Sequence, residues 1–197
     1  MKRIGILGGT FNPLHIGHLA IAQVALEKKR LDSVVFVPSF WPPHKSTKNV
    51  ISAKHRYSMV RLAIEDNPYF DICDYEIKRR KKSYSIDTVR FFEAQYPEGA
   101  KFFFIIGEDS LETLQQWRDI DEILKIVSFV VVNRPGMDKG QSKIKVSSVT
   151  MPGLDVSSSY IRKRTTSGNS IHYLVPPAVC EYIKKHHLYE VVNFERS

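Results

Sequence analysis

The sequence predicts an α/β protein built on one doubly wound, parallel β-sheet. Short apolar runs that are typical of strands alternate with segments that carry apolar residues at helical spacing. The strand-like runs are almost continuously apolar, which is typical of parallel strands buried on both faces. Neither a repeat nor a linker interrupts residues 1–197. We therefore expect a single Rossmann-like domain with helices on both faces and a small C-terminal helical part.

The predicted elements begin with a strand and end with two helices. We predict strands at residues 4–7, 34–38, 70–77, 101–106, 129–132 and 145–151. We predict helices at residues 18–29, from an N-cap at Ser52 through Ile64, from a cap at Ser85 to the residue before Pro97, and at 157–164 and 178–186. Residues 135–142 are polar and contain glycine, which predicts a loop.

Composition and charge favour an anionic partner. The 29 Lys and Arg residues outnumber the 21 Asp and Glu residues, which gives a net charge of +8. This balance favours nucleotides, phosphorylated metabolites or nucleic acid, with a merely soluble, lysine-rich surface as the alternative. The two cysteines, Cys73 and Cys180, form no CxxC pair, and no apolar run approaches the roughly 20 residues of a membrane span. We expect a cytoplasmic protein that contacts no membrane.

A glycine-rich turn with two histidines follows the first predicted strand. Residues 8–18 read GGTFNPLHIGH, and Gly8 and Gly9 stand where that strand ends. Glycines there let backbone N–H groups approach a phosphate, and the next helix adds the positive end of its dipole. The spacing fits neither GxGxxG nor a P-loop. A zinc site at His15 and His18 would need further ligands, which the neighbourhood lacks. Surface histidines at a capped helix start are the other alternative.

A second candidate phosphate-binding element is the stretch DVSSSYIR at residues 155–162. Ser157 and Ser158 stand at the start of a predicted helix, where serines cap the helix and leave N–H groups for an anion. Arg162 follows one turn later and can present a forked donor to phosphate. Serine-rich helix starts are common, so this element becomes informative only together with the turn at residues 8–18.

The tetrapeptide HIGH at residues 15–18, preceded by GGTFNP, resembles the signature of the nucleotidyltransferase superfamily. The resemblance implies that His15 and His18 contact a triphosphate and stabilise the transition state. Such transfers depend on positioning and charge stabilisation. A phosphate monoester acceptor has a second pKa of about 6, so it is largely dianionic at neutral pH and needs no general base. We therefore expect both histidines to donate hydrogen bonds.

Two segments are candidates for binding the acceptor. PPHK at residues 42–45 follows the second strand; His44 and Lys45 are expected to bind the acceptor phosphate, with a stiff basic loop as the alternative. The helix start at Tyr84 and Ser85 offers N–H groups to a small carboxylate. Asp87 in the same turn also complements the helix dipole and competes with that role.

Three more residues are candidates for binding the substrates. Asp109 either bonds a ribose hydroxyl or caps a helix, and Trp117 either stacks on a heteroaromatic ring or lies in the core. Arg134 follows the fifth strand and is expected near the adenine. The resemblance also assigns to the ATP site residues that follow strands one and four: Gly8, Gly9, Thr10, Phe11 and Gly107.

The order and spacing of GGTFNPLHIGH, PPHK, SYSIDT, IIGEDS, VVVNRPG, VSSSYIR and YLVPPAVCEYI resemble the bacterial nicotinate-nucleotide adenylyltransferase family along nearly the whole chain. The resemblance implies that ATP and nicotinate mononucleotide give deamido-NAD and pyrophosphate, with Mg²⁺ carried on the ATP. The sequence contains no cluster of carboxylates that would indicate a metal site built by the protein itself. The implied catalytic residues are His15, His18, Lys45 and Arg162. Asn12 stands where Asp is common in the family.

Two other functions compete with this one. The pantetheine-phosphate adenylyltransferases resemble the chain less, because they lack the PPHK and SYSIDT pieces. A non-catalytic nucleotide or nucleic-acid binder would be expected to show aromatic strand motifs or clustered Lys and Arg, and only KRRKK at residues 78–82 is such a run. We read that run as a solvated turn and expect no nucleic-acid partner. The sequence leaves a homodimer open.

Overall fold

The computed structural model describes residues 1–42, 49–133 and 144–190. The strands are β1 (Lys2–Gly9), β2 (Ser33–Pro38), β3 (Phe70–Ile72), β4 (Ala100–Gly107), β5 (Val127–Asn133) and β6 (Ser147–Thr150). The helices are α1 (Ile16–Lys28), α2 (Ala53–Ile64), α3 (Tyr75–Arg79), α4 (Ser85–Gln95), α5 (Ile120–Ile126), α6 (Ser158–Thr166) and α7 (Pro177–Lys185). Short 3-10 turns span Glu108–Ser110 and Leu114–Gln116.

The six strands form one parallel sheet in the order β3-β2-β1-β4-β5-β6. This confirms the predicted doubly wound, Rossmann-like fold. The chain runs outward from β1 through β2 to β3 and then returns to β4 on the other side of β1. In such sheets, ligands bind beyond the carboxyl ends of the strands where the order reverses. The crevice between the ends of β1 and β4 is therefore the place to look for a site.

Each face of the sheet carries its own apolar core. Along β2, Val34 and Phe36 belong to the core on one face, while Val35 and Val37 belong to the core on the other. Because successive side chains point to opposite faces, a strand buried on both sides needs apolar residues at every position. Helices α1, α2, α6 and α7 supply the first core, and α4 and α5 supply the second.

The predicted strand at residues 70–77 is wrong beyond Ile72, because the chain turns into helix α3 at Tyr75. Two contacts with α4 explain the helix. The buried carboxylate of Glu76 accepts a hydrogen bond from the Thr88 hydroxyl at 2.6 Å, and the ring of Tyr75 stacks on Phe91 with centroids 4.1 Å apart. These contacts between distant parts of the chain override the apolar pattern of the local sequence.

Other boundaries differ in smaller ways. Ser52 caps α2 as predicted, and its hydroxyl accepts the N–H of His55. Ser85 is not a cap: the N-cap of α4 is Tyr84, and Ser85 is the first helical residue. Helix α5 has no counterpart in the prediction. The predicted loop at residues 135–142 lies outside the described residues, and the assignment of residues 1–197 to one domain stays a prediction.

Candidate active site

The turn between β1 and α1 holds both predicted histidines at the start of the helix. His15 is the N-cap of α1, and its backbone is extended. His18 lies three residues into the helix, and its Nδ1 accepts the backbone N–H of His15 at 3.2 Å. The two imidazole rings are 3.7 Å apart between centroids. The helix start predicted at His18 is therefore two residues late, because His15 itself caps the helix.

This hydrogen bond fixes the tautomer of His18. A neutral imidazole has one N–H donor and one acceptor nitrogen. Since Nδ1 accepts a hydrogen bond from the backbone, the proton of the neutral ring resides on Nε2. The ring therefore keeps an N–H donor at Nε2, while its Nδ1 completes the capping box at the start of the helix.

Two glycines of the turn are needed for close packing around these rings. A Cβ on Gly9 would lie 2.8 Å from the Phe11 ring, and one on Gly17 would lie 3.0 Å from Nδ1 of His15. The side chain of Phe11 is 2% exposed and packs against His18 and Phe36. Only the backbone of Phe11 is therefore available for the nucleotide contact predicted for this residue. Gly8, by contrast, is exposed at the end of β1.

Helix α6 docks directly against this turn. Ser157 caps the helix by accepting the N–H of Tyr160. The hydroxyl of Ser158 donates to the carbonyl of Pro13 at 2.8 Å, and Nη1 of Arg162 donates to the carbonyl of Asn12 at 2.8 Å. The structure thus brings together the two sequence elements that were each predicted to bind phosphate.

The segment before α4 lies beside the chain that follows β2. The backbone N–H of Ser83 donates to the carbonyl of Trp41 at 3.0 Å, and the Ser83 hydroxyl accepts the N–H of Phe40 at 3.0 Å. The guanidinium of Arg118 lies 4.9 Å above the ring of Tyr84. The described chain that leads up to Pro42 therefore lies beside the predicted acceptor-binding stretch that begins at Ser83.

Helix α4 begins with an electrostatic pair that bears on the competition predicted for Asp87. The Asp87 carboxylate is 2.7 Å from Nη1 of Arg79. This ion pair partly neutralises the carboxylate in the first turn of α4. The N–H groups at the helix start therefore face less competition from Asp87 for an anion.

The residues after β4 are more dispersed. Asp109 is exposed in the 3-10 turn that follows Gly107, and among the described residues it makes no hydrogen bond or ion pair with the other predicted site residues. Trp117 is partly buried, with edge-to-face contacts to Phe104 and Phe129. These contacts favour the core interpretation for most of the Trp117 ring.

Three predicted residues, His44, Lys45 and Arg134, lie outside the described residues. Across residues 1–42, 49–133 and 144–190, no group of three or more His, Cys, Asp or Glu side chains is placed to hold a metal ion. Within the same ranges, no helix is long and apolar enough to cross a membrane.

Sequence reasoning missed Arg56, a buried arginine of α2 that contacts this region. Its side chain is 1% exposed, and its guanidinium donates to the carbonyls of Thr10 at 2.7 Å, Phe40 at 3.1 Å and Ile51 at 3.1 Å. Burial lowers the pKa of Arg56 to about 10, so the group stays charged at neutral pH. The available signal was its place on the apolar face of α2, three residues before Met59.

Asn12 is a second residue whose contacts the sequence did not indicate. Its side-chain N–H donates to the carbonyl of Asn49 at 2.8 Å, and its Oδ1 accepts from the hydroxyl of Tyr189 at 3.0 Å and from the N–H of Ile51 at 3.3 Å. Burial raises the pKa of Tyr189, so its hydroxyl is a donor at neutral pH. A cavity of about 510 Å³ lies beside these residues and Arg162.

A parallel sheet of this order, with two imidazoles and a serine-capped helix meeting at one turn, defines a nucleotide-binding domain of the nucleotidyltransferase type. A family model of cytidylyltransferase-like proteins matches residues 6–164. A probable nicotinate-nucleotide adenylyltransferase of Shouchella clausii is 47% identical over 96% of this chain and 97% of its own. A protein of the same name from Lactiplantibacillus plantarum is 46% identical over 96% of this chain and 89% of its own. The chain belongs to the nicotinate-nucleotide adenylyltransferase family.

Solved structures share the fold. The nicotinic acid mononucleotide adenylyltransferase of Plasmodium falciparum complexed with NaAD superimposes with a TM-score of 0.79 at 20% identity, covering 96% of this chain and 98% of that one. A putative nicotinate-nucleotide adenylyltransferase of Vibrio parahaemolyticus gives a TM-score of 0.70 at 22% identity, covering 96% of each chain.

Proposed function

We propose that this protein transfers the adenylyl group of ATP to nicotinate mononucleotide, giving deamido-NAD and pyrophosphate. Membership of the family supports the reaction. The observation that carries it in this chain is the docking of α6 on the β1–α1 turn, through the Ser158–Pro13 and Arg162–Asn12 hydrogen bonds. This contact joins the N-terminus of α6 and Arg162 to the turn that leads into α1 and its two histidines, an arrangement that suits a chain of phosphates.

The chemistry needs charge stabilisation and positioning. An oxygen of the acceptor phosphate forms a bond to the α-phosphorus of ATP, while the bond from that phosphorus to the bridging oxygen breaks and pyrophosphate leaves with the electron pair. The acceptor phosphate is largely dianionic at neutral pH, so no residue has to remove a proton from it. His18 supports the reaction by donating from Nε2 to the charge that develops on the phosphates. We assign the same electrostatic role to His15, Lys45 and Arg162.

The remaining contacts follow the two ends of the substrates. We propose that ATP is held by Arg134, by residues at the ends of β1 and β4, and by the serines at the start of α6. Apart from Arg134, these residues are Gly8, Gly9, Thr10, Phe11, Gly107, Asp109, Ser157 and Ser158. The acceptor is held by His44, Lys45, Tyr84, Ser85, Asp109 and Trp117. The N-terminus of α4 at Ser85 binds the nicotinate carboxylate, since N–H groups there favour an anion.

We further propose that Mg²⁺ enters with the triphosphate. In this proposal the main ligands of the ion are the phosphates of ATP and water, not a group of side chains. Mg²⁺ that is bound through substrate phosphates keeps several waters and needs few protein ligands. Once bound, the ion neutralises part of the charge on the phosphates.

The proposal also covers the location and the partners of the protein. A cytoplasmic location is supported by the thiols of Cys73 and Cys180, both of which are free. A homodimer is a separate prediction, which light scattering at several protein concentrations can test. We propose no nucleic-acid partner.

The experiment that tests the function is a pyrophosphate-release assay with ATP and Mg²⁺. Nicotinate mononucleotide, nicotinamide mononucleotide and phosphopantetheine are offered in parallel. We expect turnover with nicotinate mononucleotide and much less with the amide, because N–H groups at Ser85 favour a carboxylate. Preference for phosphopantetheine would indicate a pantetheine-phosphate adenylyltransferase instead. ATP binding without turnover on any acceptor would refute the proposal in favour of a non-catalytic binder.

A further inference from the structure

Arg56 connects three separate stretches of chain around the candidate site. Its Nη1 donates to Thr10 in the β1–α1 turn, its Nη2 donates to Phe40 after β2, and its Nε donates to Ile51 before α2. All three partners are backbone carbonyls. The guanidinium therefore holds the main chain of these stretches in a fixed relation, whatever their side chains are.

The stabilisation of the fold alone does not call for this residue. A buried charge is costly to desolvate, and an apolar side chain of similar size is often as favourable in its place. Three other positions on the same face of α2, Met59, Val60 and Ala63, are apolar and buried. Among the described residues, no carboxylate forms an ion pair with Arg56. What the guanidinium supplies is planar, multiple hydrogen bonding, which an apolar residue cannot give.

The three carbonyls belong to both halves of the proposed site. Thr10 lies in the turn assigned to the triphosphate of ATP. Phe40 lies beside Ser83, next to the helix start assigned to the nicotinate carboxylate. Ile51 donates its N–H to Asn12, whose carbonyl accepts from Arg162. The Arg56 side chain thus spans the distance between the part of the chain that would hold ATP and the part that would hold the acceptor.

We propose that Arg56 is a positioning residue, which fixes the ATP-binding turn relative to the acceptor-binding segment so that the attacking phosphate oxygen faces the α-phosphorus. The inference rests on the proposed function. It concerns the arrangement of the two half-sites relative to one another, because each half has supports of its own. The β1–α1 turn is also held by Ser158, and the acceptor side is also held by Ser83.

Arg56→Lys is the most direct test. Lysine keeps the positive charge, but its single ammonium cannot reach three carbonyls with the planar geometry of a guanidinium. Since a misplacement of about 1 Å can lower a rate roughly 100-fold, we expect kcat to fall by about that factor. The Kd for ATP measured without acceptor and both KM values should change by only a few-fold.

A matched control is Val60→Ala, one turn further along the same helix and fully buried. It disturbs the packing of α2 and removes none of the hydrogen bonds that Arg56 makes to Thr10, Phe40 and Ile51. Thermal unfolding is recorded for each variant, and activity is measured well below the lowest melting temperature. We expect Val60→Ala to be less stable than the parent, with the kcat and KM values of the parent.

The outcomes separate this inference from the proposed function. If the parent protein shows no adenylyl transfer, the proposed function itself is refuted. An active parent with parental kcat in folded Arg56→Lys would overturn the positioning role alone, as would equal losses of kcat in Arg56→Lys and Val60→Ala. Arg56→Gln, which keeps a planar donor, serves as a second variant. If neither Arg56 variant folds at a temperature where Val60→Ala does, Arg56 maintains the fold rather than the alignment, and the proposal is wrong.

Discussion

Replacing His18 by asparagine separates two roles that the imidazole combines. The Nδ1 atom accepts the N–H of His15, the N-cap residue of α1, at 3.2 Å, which completes the capping box of the helix; the Nε2 atom keeps the proton. The Oδ1 atom of asparagine lies the same number of bonds from Cα as Nδ1, so it can accept the same hydrogen bond. Asparagine has no atom where Nε2 was. The variant therefore keeps the cap and loses the donor.

The loss of the donor and the loss of the capping hydrogen bond differ in size. Removing one preorganised donor to a charge that develops in the transition state costs about 2.7–4 kcal/mol, so kcat of His18→Asn should fall by roughly 10²–10³. The capping hydrogen bond from His15 to Nδ1 is worth about 1 kcal/mol, and His18→Asn should retain most of it. His18→Ala removes cap and donor together and should lower the melting temperature by roughly 2–4 °C for each kcal/mol in a protein of this size.

The assay is pyrophosphate release at saturating ATP, Mg²⁺ and nicotinate mononucleotide, with thermal unfolding recorded on the same samples. His18→Gln is the converse variant, because its Nε2 reaches the position of the lost donor. We expect kcat to decrease from the parent to His18→Gln and further to His18→Asn. We expect the melting temperature of His18→Asn to exceed that of His18→Ala. Parental kcat in His18→Asn would refute the donor role, and equal melting temperatures of His18→Asn and His18→Ala would refute the stabilising role of the hydrogen bond to His15.

Three further results are expected. Burial raises the pKa of Glu76 above its unfolded value, so the folded state binds the proton more tightly and this stabilisation is lost as the pH rises through the folded pKa. Glu76→Gln should therefore gain stability relative to the parent as the pH rises from acidic to neutral in urea unfolding, and a falling difference would contradict the assignment. Tyr189→Phe removes the hydrogen bond to Asn12 and should cost about 0.5–1.5 kcal/mol by calorimetry; an unchanged unfolding free energy would show that this bond contributes nothing. EDTA should abolish adenylyl transfer and leave the melting temperature of the free protein unchanged, because Mg²⁺ is expected on the phosphates; a lower melting temperature would point to a protein-bound metal.

The fold could be predicted because its signals are local. Strands such as β2 are apolar at every position because both faces of the sheet are covered, and this pattern is visible in the sequence. The β1–α1 turn was predicted for the same reason, since its glycines and histidines are adjacent in the chain. Helix α3 was missed because Glu76 and Tyr75 are placed by α4, not by their neighbours in sequence.

The residues that join the parts of the site could not be predicted in this way. Arg56 reaches a carbonyl 46 positions away at Thr10, and Asn12 bonds a hydroxyl 177 positions away at Tyr189. Every residue has a backbone carbonyl, so an arginine that binds carbonyls needs no acidic partner. The sequence therefore contains no residue that marks where such an arginine binds. Its charge on the buried face of α2 was the only sign, and the sequence does not say what that charge contacts.

The position of β1 in the sheet has a consequence for how the chain is made. Strand β1 pairs with β2 on one side and with β4 on the other. All of the chain between Gly9 and Ala100 is synthesised between β1 and β4, which takes on the order of ten seconds at the usual rate of translation. During that interval one edge of β1 lacks its partner on the ribosome. An exposed strand edge readily pairs with other chains, so the nascent protein is most vulnerable to aggregation before β4 emerges.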